Sequence, residues 1–131
     1  MDDEDRSNYK SIFDHYYSLL SNDMSDYTNR IKQLQLPIIP MPILIKLLHN
    51  ALDIFKSEPI IIHTVAPHAI VGDLHGQILD LLRIIQAQGP PPQTRYIFLG
   101  DLVDRGQFST ETVTLVFIMK VLWPESVILV R

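Results

Sequence analysis

The sequence predicts an α/β protein, in which a helical N-terminal part precedes parallel strands joined by helical crossovers. Three observations carry this. Apolar residues recur at helical spacing through most of the first 59 positions, and short β-like runs bounded by Pro or Gly begin after Pro59. From there strand and helix patterns alternate as βαβαβ, an order that implies parallel strands because parallel pairs need long connections and helices supply them. The change of pattern divides the chain into a helical region, 1–59, and an α/β region, 60–131.

Tyr9, Ile12, Phe13, Tyr16, Tyr17 and Leu20 predict a first amphipathic helix, with Ser7 or Asn8 as its N-cap and its aromatic stripe facing the core. A polar break from Ser21 to Asp26 precedes a shorter helical stretch carrying Tyr27, Ile31 and Leu34, and then a Pro-rich connector from Pro37 to Pro42. Pro42 suits the start of a helix. Leu44, Leu47, Leu48, Ala51, Leu52 and Phe55 form its core-facing stripe, and it ends at Glu58 because Pro59 follows. Ile60–Ile62 and Ala69–Val71 read as strands, Ile78, Leu81, Leu82 and Ile85 mark a helix, and a rigid Gly89-Pro90-Pro91-Pro92 loop leads to a strand from Tyr96 to Leu99. A helix opening near Ser109 and a strand from Val127 to Val130 complete the pattern.

The 131 residues match one small domain, 47% hydrophobic and 20% charged, and not a disordered segment. A formal charge of −4 gives no general pull toward nucleic acid or an anionic membrane, so no partner of either kind is expected and any phosphate binding must be local. The absence of cysteine excludes disulfides and thiolate metal sites, and the acidic start Met1-Asp2-Asp3-Glu4-Asp5 is unlike a secretory signal. Cytoplasm or nucleus is the expected location. The longest charge-free apolar stretch, Leu34 to Ile45, is too short and too rich in proline to span a bilayer.

Two loops carry chemistry. Gly72-Asp73-Leu74-His75-Gly76 follows one predicted strand, and Gly100-Asp101-Leu102-Val103-Asp104-Arg105-Gly106 follows the next. Both therefore lie at the carboxyl edge of the sheet, where ligands bind in open α/β folds, and the two loops should be neighbours. Carboxylate oxygen from Asp73 and Asp101 with imidazole nitrogen from His75 suits Mn, Fe or Zn better than Ca. A lone Asp after a strand often only caps the next helix. Two such loops, with Asp101 28 positions after Asp73, favour a metal site instead. Arg105 could pair with Asp104 at the surface, but a guanidinium beside clustered carboxylates also suits a phosphate oxyanion, and that role is favoured. His15, His49, His63 and His68 have no partner spacing and read as structural.

At these residues the sequence resembles the metal-dependent phosphoprotein phosphatases, the eukaryotic serine/threonine phosphatases that include type 1, type 2A and calcineurin-like enzymes. The likeness runs from about Leu44 to Arg131. It includes Ile54-Phe55, Glu58-Pro59, Ala66-Pro67, Gly72 to Gln77, Asp80-Leu81-Leu82-Arg83, Tyr96 to Asp101, Val103 to Gly106, Ser109 to Val113, Lys120 and Pro124-Glu125. The resemblance implies the first half of a metallophosphoesterase α/β/β/α sandwich. It implies that Asp73 and His75 hold a first metal ion, that Asp101 bridges two, that Asp104 orients a general-acid histidine and that Arg105 binds the substrate phosphate. The activity implied is hydrolysis of protein phosphoserine and phosphothreonine by a water activated between two divalent or trivalent ions (Mn, Fe or Zn).

The family's third motif, Gly-Asn-His-Glu, would follow Arg131. Without it only the first-metal ligands are present, so an inactive fragment is expected. Phosphoprotein substrates and regulatory subunits are the implied partners. Leu102 stands where eukaryotic members usually carry tyrosine; leucine there resembles bacterial, phage and dinucleoside tetraphosphate-hydrolysing relatives, whereas Phe108 to Val113 resembles the type 2A and calcineurin side. Two alternatives follow: a non-catalytic phosphatase-like module that binds regulatory subunits, and a dinucleoside-polyphosphate hydrolase.

Overall fold

A computed structural model of the chain describes residues 1–19 and 35–130. Helix α1 spans Asp3–Ser18, earlier than its apolar stripe predicts. Its cap is Asp2, whose carboxylate accepts the Asp5 N–H at 2.7 Å, and not Ser7 or Asn8. The reason is electrostatic: Asp3, Glu4 and Asp5 fill a first turn where the helix dipole favours negative charge. The predicted polar break at Ser21–Asp26 and the helical stretch with Tyr27, Ile31 and Leu34 lie outside the described residues, as does Leu20.

Helix α2, Met41–Ser57, starts beside Pro42 and stops at Glu58, as the prolines dictate. Its buried seam is narrower than its apolar stripe. Leu47 and Ala51 are buried, with Leu44, Ile54 and Phe55 packed beside them, whereas Leu48 and Leu52 are each 45% exposed. The same correction applies to α1, where Tyr9, Phe13 and Tyr16 face inward and Tyr17 lies outside. One turn of 3.6 residues carries these positions past the line of contact with the neighbouring helices.

The sheet has three parallel strands in the order β1 (Ala69–Val71), β2 (Tyr96–Phe98), β3 (Val127–Leu129), with Ala69 beside Tyr96 and Tyr96 beside Val127. Helices α3 (Ile78–Gln88) and α4 (Ser109–Leu122) are the crossovers. Because strand order is sequential, crossovers of one hand put both helices on one face. That face holds Val71, Tyr96, Phe98 and Val127, all buried against Leu81, Leu82, Leu115 and Met119 of the core. The row Ile70, Ile97, Ile128 points the other way, and Ile70 is 66% exposed.

Ile60–Ile62, predicted as a strand, is irregular, and Ile60 and Ile61 are exposed. The β-branched run finds no ladder partner among the described strands, and propensity alone does not make a strand. Among the described residues no helix is long and apolar enough to cross a membrane.

At the foot of β3 the side chain of Lys120 is fully buried. Its ammonium donates to the Glu58 carboxylate, to the Pro124 carbonyl at 3.1 Å and to the Val127 carbonyl at 2.7 Å. Three donors meet three acceptors, tying the end of α2 to the turn after α4 and to β3.

Candidate metal centre

The loops after β1 and β2 are stitched together by backbone. The Leu74 and His75 N–H groups both donate to the Asp101 carbonyl, at 3.0 and 2.9 Å, and Gly76 donates to Leu102 at 2.8 Å. In return Gly106 donates to His75 at 2.7 Å and Phe108 to Gly76 at 3.1 Å. The approach leaves no room for a side chain at Gly106, where a Cβ would overlap the His75 carbonyl and stand 2.7 Å from the Gly76 carbonyl carbon.

This clamp brings three of the predicted residues into one group. One ligand atom from each of Asp73, His75 and Asp101 lies within 4.8 Å of the others. The Nδ1 of His75 is 3.0 Å from the Val103 carbonyl, which can only accept, so Nδ1 carries a proton and in the neutral ring Nε2 is the atom with the lone pair. That Nε2 stands 3.4 Å from the Asp73 carboxylate. A lone pair and two carboxylates converging at one edge is a donor set for a cation.

Capping does not account for the carboxylates. The N-cap residues of α3 and α4 are Gln77 and Phe108, neither with a side-chain cap bond. Among the described residues no lysine or arginine forms an ion pair with Asp73 or Asp101. Two exposed carboxylates within 4.8 Å repel by about 1 kcal/mol in a water-like dielectric. A divalent cation reverses the sign of that term.

The backbone gives independent support. His75, Asp101, Asp104 and Arg105 have φ of 45°, 49°, 67° and 72°, so four non-glycine residues occupy the left-handed region. Each such residue costs of order 1–3 kcal/mol and persists only where its surroundings over-determine it, a condition that clusters at functional sites. Four of the five residues singled out by sequence are in this state, and Asp73 is the exception. Asp104 and Arg105 are exposed on the same loop as Asp101 but are not among the converging ligand atoms. No ion pair joins them among the described residues. Two contributors were not legible in the sequence: the Val103 carbonyl that sets the histidine tautomer, and the Ser109 hydroxyl, which accepts the Asp104 N–H at 3.0 Å.

Comparison with known families agrees with this geometry. The model of the calcineurin-like phosphoesterase family matches residues 66–131, which include both loops. The chain belongs to that family. It is also 46% identical over 94 residues to the serine/threonine-protein phosphatase PP2A-like PPG1 of Candida albicans, a match covering 72% of this chain and 23% of that protein. The chain thus spans about a quarter of the relative's length. The sheet, its crossover helices and the helical N-terminal part fit part of the metallophosphoesterase fold, and the Asp-His-Asp group fits the divalent metal ions that this family uses.

Proposed function

We propose that this site serves the hydrolysis of phosphoserine and phosphothreonine in proteins. The observation that carries the reading is the convergence of Asp73, His75 and Asp101, with Arg105 four residues after Asp101 on the same left-handed loop. The 46% identity to a serine/threonine phosphatase supports the substrate class.

In this reading Asp73, His75 and Asp101 would hold the metal ions. When bound, the ions supply Lewis acidity and lower the pKa of the attacking water. Arg105 grips the phosphate through a guanidinium fork matched to two oxygens, which fixes the phosphorus for in-line attack. Asp104 orients a general-acid histidine contributed from outside residues 1–131. In the same reading, turnover also requires the asparagine ligand and the acid histidine of the family's third motif.

Phosphopeptide hydrolysis by a chain that also carries an asparagine ligand and an acid histidine tests the proposal. Turnover should fall about 10²–10³-fold in Arg105→Ala with metal content intact. Loss of metal in that variant would remove the phosphate role from Arg105. Leu102 favours a second reading, a dinucleoside-polyphosphate hydrolase, and faster turnover of a dinucleoside tetraphosphate than of phosphopeptide would establish it.

A further inference from the structure

We propose that Ser109 is a positioning residue for the phosphate clamp, its hydroxyl holding Asp104 and Arg105 in the left-handed conformation they share. This rests on the reading of Arg105 as the group that binds phosphate. Asp104 and Arg105 are consecutive non-glycine residues at φ 67° and 72°, a conformation that does not hold itself. Downstream, the N–H groups of Gly106 and Phe108 are held by backbone carbonyls of the first loop. The Asp104 N–H is held by a side chain, the Ser109 hydroxyl at 3.0 Å.

Ser109 is suited to this. It is the first residue of α4, a helix rooted in the core through Leu115, Val116 and Ile118, so its hydroxyl is a fixed point against which a strained loop can be set. The hydroxyl is not spent on capping, since it accepts from a residue five positions upstream and α4 has no side-chain cap bond. It also lies against the first loop, where a Cβ at Gly76 would come within 2.8 Å of Ser109 Oγ. One hydroxyl therefore touches both loops at the point where they meet.

The test uses the metal-free, ¹⁵N-labelled 131-residue chain with inorganic phosphate as the probe. In Ser109→Ala the Asp104 amide should exchange about tenfold faster or more, while the Leu74 and Gly106 amides keep their protection. Phosphate should shift the Arg105 Nε–H resonance in the parent chain, with about a fivefold or greater loss of affinity in Ser109→Ala and recovery in Ser109→Thr, which restores the hydroxyl. An unchanged Asp104 amide in Ser109→Ala overturns the proposal. So does a uniform loss of protection across the whole fold, which marks a structural role alone, or a loosened Asp104 with parent-like phosphate affinity. If Ser109→Ala loosens Asp104 but the parent Arg105 resonance ignores phosphate, the clamp reading of Arg105 fails and the hold of Ser109 on the loop stands.

Discussion

Charge is gathered at both ends of this parallel sheet, and the two ends handle it differently. At the foot of β3 the ammonium of Lys120 is fully buried and meets three acceptors, Glu58 and the carbonyls of Pro124 and Val127. At the heads of β1 and β2, Asp73 and Asp101 crowd within 4.8 Å of each other and of His75 with no lysine or arginine paired to them among the described residues. A charge used to hold a fold is neutralised inside the fold. A charge left open, on backbone kept in the left-handed region, is available to something that arrives from solvent.

Removing the partner from the saturated cluster should have the largest effect on stability. Lys120→Met leaves Glu58 without its cation and two carbonyls without a donor, and should lower unfolding free energy by about 3–5 kcal/mol, read from the urea midpoint. A change under about 1 kcal/mol would mean that the cluster is not a structural tie. Gly106→Ala comes next, at about 1–3 kcal/mol, because a methyl there overlaps the first loop and forces the two loops apart. The same variant should lose cation affinity, since the ligands from the two loops no longer converge.

The open cluster should behave in the opposite sense. In metal-free protein Asp101→Asn should leave the urea midpoint within about 0.5 kcal/mol of the parent or raise it, because one of two repelling carboxylates is removed. A large destabilisation would class Asp101 with Lys120 as structural.

A smaller effect belongs to the partly exposed tie between α1 and α2. The Lys46 ammonium donates to Asp5 at 2.8 Å, and this hydrogen bond holds the Asp5 carboxyl below its ordinary value of 3.8. A depressed carboxylate contributes stability that is present above the unfolded value and is lost as pH falls through the folded one. The contribution should therefore disappear as pH is taken below about 3.8. Asp5 in turn raises the Lys46 pKa above 10.5, so that the lysine's share is present below 10.5 and is lost only as pH rises through the higher folded value. Lys46→Met should flatten the acid limb of the stability profile and change little near neutrality, because the Lys46 side chain is half exposed. An unaltered acid limb would remove Asp5 from the account of acid stability.

Helix stripes, proline stops and glycines after strands made most of the architecture and the site residues legible, since each is a local signal. The start of α1 was missed because its cap and dipole charges precede the apolar pattern. Ile60–Ile62 was misread because strand formation depends on a partner that lies elsewhere in the chain. Leu48 and Leu52 looked internal because periodicity reports a face and not how much of it a neighbour covers. At the site, residue types pointed to Asp73, His75 and Asp101, which the fold brings together, and to Arg105, whose phosphate role is part of the proposal. The backbone carbonyl that orients His75 and the hydroxyl that holds Asp104 depend on three-dimensional approach, and no local pattern marks them.

The most direct test of the open cluster is a calorimetric titration of the metal-free 131-residue chain with Mn²⁺, repeated on Asp73→Ala, His75→Ala and Asp101→Ala and on Lys46→Met as a charge-change control. The expected result is saturable binding in the parent, lost or weakened at least about tenfold in each of the three ligand variants and retained in Lys46→Met. Absence of binding in the parent, or equal affinity in the three ligand variants, would contradict a metal centre at the heads of β1 and β2.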